Sequence, residues 1–419
     1  MKSSWSRRWA ALPCIAMTVA IAATGCSSDD SDSSGASSVD QSVLGTPNKA
    51  SGTPIKIMLE TAGEKAATFT QEQKAAEAAV SYVNDYLGGV SGHPIQLEVC
   101  NDQLQVSLAR ECANKAVASD AVAVLSGDPS NPDAVAGVTS PAGLTYMVTT
   151  GGGQQTMRLP NTHILSNSIG GLVGIPAYLG KEAGIKKTAI LTIDAPIATG
   201  PIKLLGPMVF GNAGMQMDLI AVPPGTADMT PQVQTALKNG DEAFYVMGNV
   251  PFCTTAFKAM QTLNADKPIA TVSQCIGDEE SAKQIPGGYE GMKVGVSHDF
   301  NPDSEDTKIF EAVLAKYNAA DAEDGASAYM STLALARALD GMTGEVNRQT
   351  VAARMNAMPE PVKAPLSGGA DFQCGSKPVA IAPNICNPTS LVGTAAEDGT
   401  VHDTEAVDVS QLLKMPSAQ

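Results

Sequence analysis

Side chains able to hold a small solute collect where apolar runs of the sequence give way to turns. Ser130 closes a Gly-Asp-Pro-Ser turn after the run 121–125, where a hydroxyl and free backbone N–H groups suit a carboxylate or amide oxygen. Thr149, Thr150 and Gly151 follow the run 145–148, and the glycines at 151–153 let the backbone approach a ligand closely. Gly248 and Asn249 end another run and offer amide contacts, and Glu60 sits just past the run 55–59. These groups suit reversible binding rather than bond making. No G-x-S-x-G elbow occurs, and the segment 174–181 misses the phosphate loop by one residue, with Glu182 where Ser or Thr is required. No nucleophile and base stand at motif spacing, so neither enzyme activity nor a cofactor is expected. The histidines, His93, His163, His298 and His402, form no ligand-spaced pair, which argues against a metal centre.

Six cysteines fall in three sequence-local couples: Cys100 with Cys112, Cys253 with Cys275, and Cys374 with Cys386. An even set in an exported chain favours disulfides, and no C-x-x-C supports the alternative of a zinc site.

The elements that must carry these groups read as α/β. Strands are expected at 55–59, 95–99, 121–125, 188–193, 217–222, 242–247 and 269–274. A helix is expected from a Thr70/Gln73 capping box to the stop at Gly88-Gly89, with further helices at 105–119, 232–238, 254–263, 305–317 and 327–339. This alternation predicts parallel sheets covered on both faces, arranged as two doubly wound, Rossmann-like lobes with a ligand cleft at the strand ends. At 419 residues the chain is too long for one compact core. An excess of 43 acidic over 27 basic residues repels phosphate and argues against nucleic-acid partners.

The amino terminus reads as an address. Lys2, Arg7 and Arg8 precede an apolar stretch, 10–23, too short to span a bilayer, and a twin-arginine export route is hinted at by Arg7-Arg8. The ending Ala22-Ala23-Thr24-Gly25-Cys26 resembles the lipobox of bacterial lipoproteins, which implies a signal peptide at 1–25 and a lipid on Cys26. Removing Lys2, Arg7 and Arg8 leaves 24 basic against 43 acidic residues, a net charge of −19. The Ser/Asp-rich segment 26–53 is expected to be a disordered tether to the membrane.

The run 84–95, Asn-Asp-Tyr-Leu-Gly-Gly-Val-Ser-Gly-His-Pro-Ile, followed by Glu98 and Asp102, resembles a signature of type I periplasmic solute-binding proteins, nearest their branched-chain amino-acid-binding branch. Val124-Leu125-Ser126-Gly127 with Ser130, Asp228-Met229-Thr230 with Val233 and Leu237, and Ala328-Tyr329 before the helix 333–339 extend the likeness over about residues 54–360. The resemblance implies three chain crossings between the lobes. Lobe one is then 54–163 with 294–362, and lobe two 164–293 with 363–419. It implies ligand contacts from Ser130 and from an anion-cradling segment at Thr149, Thr150 and Gly151. It further implies an acidic partner for an amino group at Asp278, or at Glu279 one residue on. Thr199 stands where the family usually places an aromatic wall, which loosens the inference about ligand. The implied role is capture of an amino acid, amide or carboxylate for delivery to an ABC permease. Two alternatives remain: a sensory receptor of the same fold, or uptake of a larger apolar acid favoured by Met58, Met147, Met157 and Met247.

Overall fold

The structure, a computed structural model, describes residues 39–63 and 71–415. The signal segment 1–25, Cys26 and Thr70 lie outside the described residues. Among the described residues, fourteen strands are interspersed with eleven α-helices. The first part of the chain supplies β1 (Ile55–Thr61), α1 (Glu72–Tyr86), β2 (Ile95–Asn101), α2 (Val106–Ala118), β3 (Ala123–Ser126), α3 (Pro132–Thr139), β4 (Thr145–Val148) and β5 (Thr162–Ile164). The middle supplies α4 (Ile175–Glu182), β6 (Lys187–Ile193), α5 (Pro196–Asn212), β7 (Gln216–Val222), α6 (Thr230–Lys238), β8 (Ala243–Met247), α7 (Val250–Thr262), β9 (Ile269–Val272), α8 (Glu279–Ala282) and β10 (Lys293–Val296). The last part supplies α9 (Glu305–Lys316), α10 (Ala326–Leu339), α11 (Arg348–Asn356), β11 (Val362–Lys363), β12 (Asp371–Phe372), β13 (Thr389–Ala395) and β14 (Val401–Asp408).

The strands form two main sheets, ordered β2-β1-β3-β4-β5 and β14-β13-β10-β9-β8-β6-β7. The first is parallel throughout; the second is parallel except where β13 pairs antiparallel with β10 and β14. Helices on both faces explain why β3 and β4 are buried along their whole length and read as unbroken apolar runs. One core joins α1, α9 and α10 to the first sheet through Phe310, Tyr329 and Leu333. A second runs from Val124 and Tyr146 of the first sheet to Ile190 and Tyr245 of the second, tying the lobes together. The chain crosses between the sheets after β5, after β10 and before β13.

Several boundaries differ from expectation. Residues 294–296, expected with lobe one, belong to β10, because they pair with β9 and β13 in the second sheet. Residues 363–386, expected with lobe two, stay with the first core, where Phe372, Cys374 and Cys386 are buried. Residues 39–53, expected within the disordered tether, are packed instead. Leu44 is buried in the first core, and the N–H groups of Asn48, Ala50 and Gly52 donate to the carbonyls of Asp85, Asn84 and Gly92. Gln71, with no side-chain bond, caps α1, and Gln73 reaches Glu77 rather than closing a capping box. No helix is expected from sequence around Thr199, yet it lies in α5, whose interior Pro201 and Pro207 argue locally against a helix. Each such proline costs about 3 kcal/mol in a helix, offset here by burial of Ile202, Val209 and Phe210.

Candidate functional site

The three crossings converge on a cavity of about 310 Å3 between the sheets, large enough for a small organic solute. Ser166 and Ser168 come from the first crossing, Ser297 from the second, and Asn387 and Thr389 from the third. Asp128, Thr150 and Gly151 reach it from the ends of β3 and β4, and Ser273 and Gln274 from the end of β9. These are the carboxyl ends of parallel strands, where open α/β sheets bind ligands. A shallower groove continues along the second lobe past Ala198, Met247 and Gly248.

Much of the polar lining is committed to the frame. Asn167 donates to the Pro388 carbonyl and accepts from Gly170 N–H, Ser168 donates to the Gly151 carbonyl, and Ser390 donates to the Asn167 carbonyl. The hydroxyls of Thr150, Ser166 and Ser273 and the carboxamide of Gln274 make no bond among the described residues, which leaves them for a ligand. All three cysteine couples are joined as disulfides. Cys253–Cys275 pins the turn that carries Ser273 and Gln274 to α7, and Cys374–Cys386 fixes the chain just before Asn387. His163 lies beside the Cys374–Cys386 pair, but sulfurs joined as a disulfide are not available to a metal. Burial holds that imidazole down to about 4, so it is neutral.

Behind the first-lobe wall lie two buried carboxylates, Glu60 and Glu72, next to the half-buried Asp128 that lines it. Glu72 accepts from the Thr61 hydroxyl at 2.6 Å and from Asp128 N–H at 2.8 Å. Burial pushes it up to about 7 against those two bonds. Glu60 accepts from the Ser126 hydroxyl at 2.5 Å, and burial, with Asp102 nearby, pushes it up as well. Asp128 accepts from the Ser327 hydroxyl at 2.5 Å, and burial lifts it to about 6. Gly127 is required beside them, since a Cβ there would lie 2.0 Å from a Glu72 oxygen and 2.8 Å from Ala328 N.

Two hinged-looking lobes around a polar cavity at three crossings match a known architecture. The sequence model described as periplasmic binding protein matches residues 57–380. The chain belongs to the periplasmic binding protein family. No curated protein matches its sequence. Among solved structures, an ABC transporter substrate-binding protein from Sphaerobacter thermophilus is similar at 18% identity and a TM-score of 0.68, over 86% of this chain and 100% of that one. The branched-chain amino acid transporter substrate binding protein LivJ from Streptococcus pneumoniae, in complex with isoleucine, is similar at 21% identity and a TM-score of 0.59, over 85% and 99%. A solute binding protein from R. palustris, in complex with 4-hydroxybenzoate, is similar at 15% identity and a TM-score of 0.60, over 85% and 96%. Proteins of this family work outside the cytoplasm, where disulfides persist. Among the described residues no helix is long and apolar enough to cross a membrane.

This periplasmic binding protein distributes the residues singled out from sequence unevenly. Thr150 and Gly151 line the cavity. Ser130 is exposed and outside the lining, which its turn reaches through Asp128 instead. Thr149 is fully buried and donates to the Ser327 carbonyl. Thr199 is buried within α5 and donates to the Ala195 carbonyl. Asn249 caps α7 by accepting from Phe252 N–H, beside the second-lobe groove. Asp278 caps α8, held below the usual carboxylate range by the Ser281 hydroxyl and N–H, and Glu279 lines a separate surface groove. Glu60 lies one layer behind the cavity wall. Sequence reasoning misses Ser166, Ser273, Gln274 and Asp128: Ser273 and Gln274 fall within the strand expected at 269–274, Ser166 follows a strand not expected, and Asp128 shares its turn with Ser130.

Proposed function

We propose that this protein is the extracytoplasmic capture component of an ABC importer, moored by a lipid on Cys26, which closes its lobes on a small organic solute. The observation that carries the reading is the polar cavity at the three crossings, with unpartnered ligand groups from both lobes: Thr150 from the first, Ser273 and Gln274 from the second. Closure about such crossings is a shape change that a permease can read. The solute class expected from sequence is amino acids, amides or carboxylates. Bound isoleucine and 4-hydroxybenzoate in the solved relatives support that range. The cavity's size and hydroxyl-rich lining favour such solutes over a larger apolar acid, because Met58 and Met147 are buried in the cores. A thermal-shift panel of amino acids, amides and carboxylates tests the reading. A solute at about 100 times its Kd should stabilise the protein by about 2.7 kcal/mol. A flat response across the whole panel contradicts it. Intact-mass analysis of membrane-extracted protein tests Cys26, and an uncleaved, unlipidated terminus refutes the anchor.

A further inference from the structure

We propose that Asp128 sets the charge selectivity of the cavity, so that a solute places a cationic or hydrogen-donating nitrogen against the first lobe, and not a carboxylate. The proposal rests on the solute-capture reading above and narrows it.

Asp128 is the one ionisable group among the described residues that line the cavity. One carboxylate oxygen, Oδ2, accepts from Ser327, while Oδ1 accepts no bond from any described residue. The backbone N–H groups of residues 128, 149 and 150 are already spent, which leaves the Thr150 hydroxyl as this segment's free side-chain donor. The N–H of Asp128 donates to Glu72, that of Thr149 to the carbonyls of Ser126 and Gly127, and that of Thr150 to the carbonyl of Gly127. The Thr149 hydroxyl donates to the Ser327 carbonyl. The wall therefore shows the cavity a negative charge beside the neutral Thr150 hydroxyl, with no cation to hold a carboxylate. Glu72 on α1 and Glu60 on β1 stand behind Asp128, and no ion pair among the described residues neutralises any of the three. A buried carboxylate without a cation is costly, and a ligand nitrogen supplies what the fold leaves out. The first turn of α10, which carries Ser327, faces Asp128 and favours its charged form. At neutral pH the carboxylate is ionised, since burial lifts it only to about 6.

The test is titration calorimetry on the full chain with probes of one skeleton and three charges: isoamylamine, isovaleramide and isovalerate, with leucine as the zwitterion. The expected order is binding of the amine, the amide or leucine, and none of isovalerate. Asp128→Asn, which keeps an acceptor for Ser327, should weaken the amine or leucine roughly ten- to hundred-fold, the range for a hydrogen bond to a charged group, and weaken isovaleramide distinctly less. Should the variant fold poorly, the same contrast is read on the wild type: affinity for the amine falls below pH 6 as Asp128 takes a proton, and affinity for the amide falls distinctly less. Isovalerate binding as tightly as the amine overturns the charge assignment while leaving solute capture intact. Unchanged amine affinity both in Asp128→Asn and across pH 6 does the same. Failure of all four probes together with the broader thermal panel overturns capture itself.

Discussion

Replacing Glu72 by Gln should make the protein more stable at neutral pH, and the gain should vanish in acid. Glu72 is 2% exposed, and its carboxyl is pushed from the usual 4.5 up to about 7 by burial, in spite of the bonds from Thr61 and Asp128. A carboxyl raised on folding binds its proton more tightly in the native state, so its contribution is complete below pH 4.5 and is lost as pH climbs to about 7. Linkage sets that loss at about 1 kcal/mol by pH 5 and about 3 kcal/mol by pH 7. Gln mimics the protonated acid: its carbonyl accepts from Asp128 N–H while its amide donates to the Thr61 hydroxyl. Urea unfolding followed by circular dichroism at pH 4.5, 5, 6 and 7 measures the difference. Wild type and Glu72→Gln should coincide at the acid end and diverge steadily in the variant's favour. Parallel curves, or a variant weaker than wild type at pH 7, refute the assignment of a desolvated, proton-binding carboxyl behind the cavity.

Tyr329 sits in the first core against Phe310, with a buried hydroxyl that has no partner among the described residues. Tyr329→Phe should therefore raise stability by about 1 kcal/mol in the same unfolding assay, and a loss of that size contradicts the orphaned hydroxyl. Removing the Cys253–Cys275 bridge by changing both residues to Ser opens a loop with a sequence separation of 22 and should cost about 3 kcal/mol. It should also weaken binding of any solute the thermal panel identifies, because Ser273 and Gln274 lose their anchor; unchanged affinity separates that turn from the site.

Most of the parallel strands were legible because strands buried on two faces are largely apolar, as 121–125 is, whereas β5 and the antiparallel β13 and β14 were not expected. The disulfides were legible because each couple is close in sequence. What escaped depended on contacts the sequence does not order. The helix α5 carries Pro201 and Pro207, which argue locally against a helix and are overruled by burial of its apolar face. The segment 39–53 is held by backbone bonds, by Leu44 and Val43 against the first core and by Gln41 donating to the Ala312 carbonyl, contacts that the polar composition of 26–53 as a whole conceals. The site itself was half legible: the turn 127–130 was identified, but spacing does not decide whether Asp128 or Ser130 faces inward. Ser166, Ser297 and Asn387 are far apart in the chain and become neighbours only because three crossings meet.

Small-angle scattering of the protein with and without a saturating solute from the thermal panel tests most directly whether this chain captures by closing. The account predicts a smaller radius of gyration and a shorter maximum dimension in the loaded form. Superimposable profiles at confirmed saturation would contradict it.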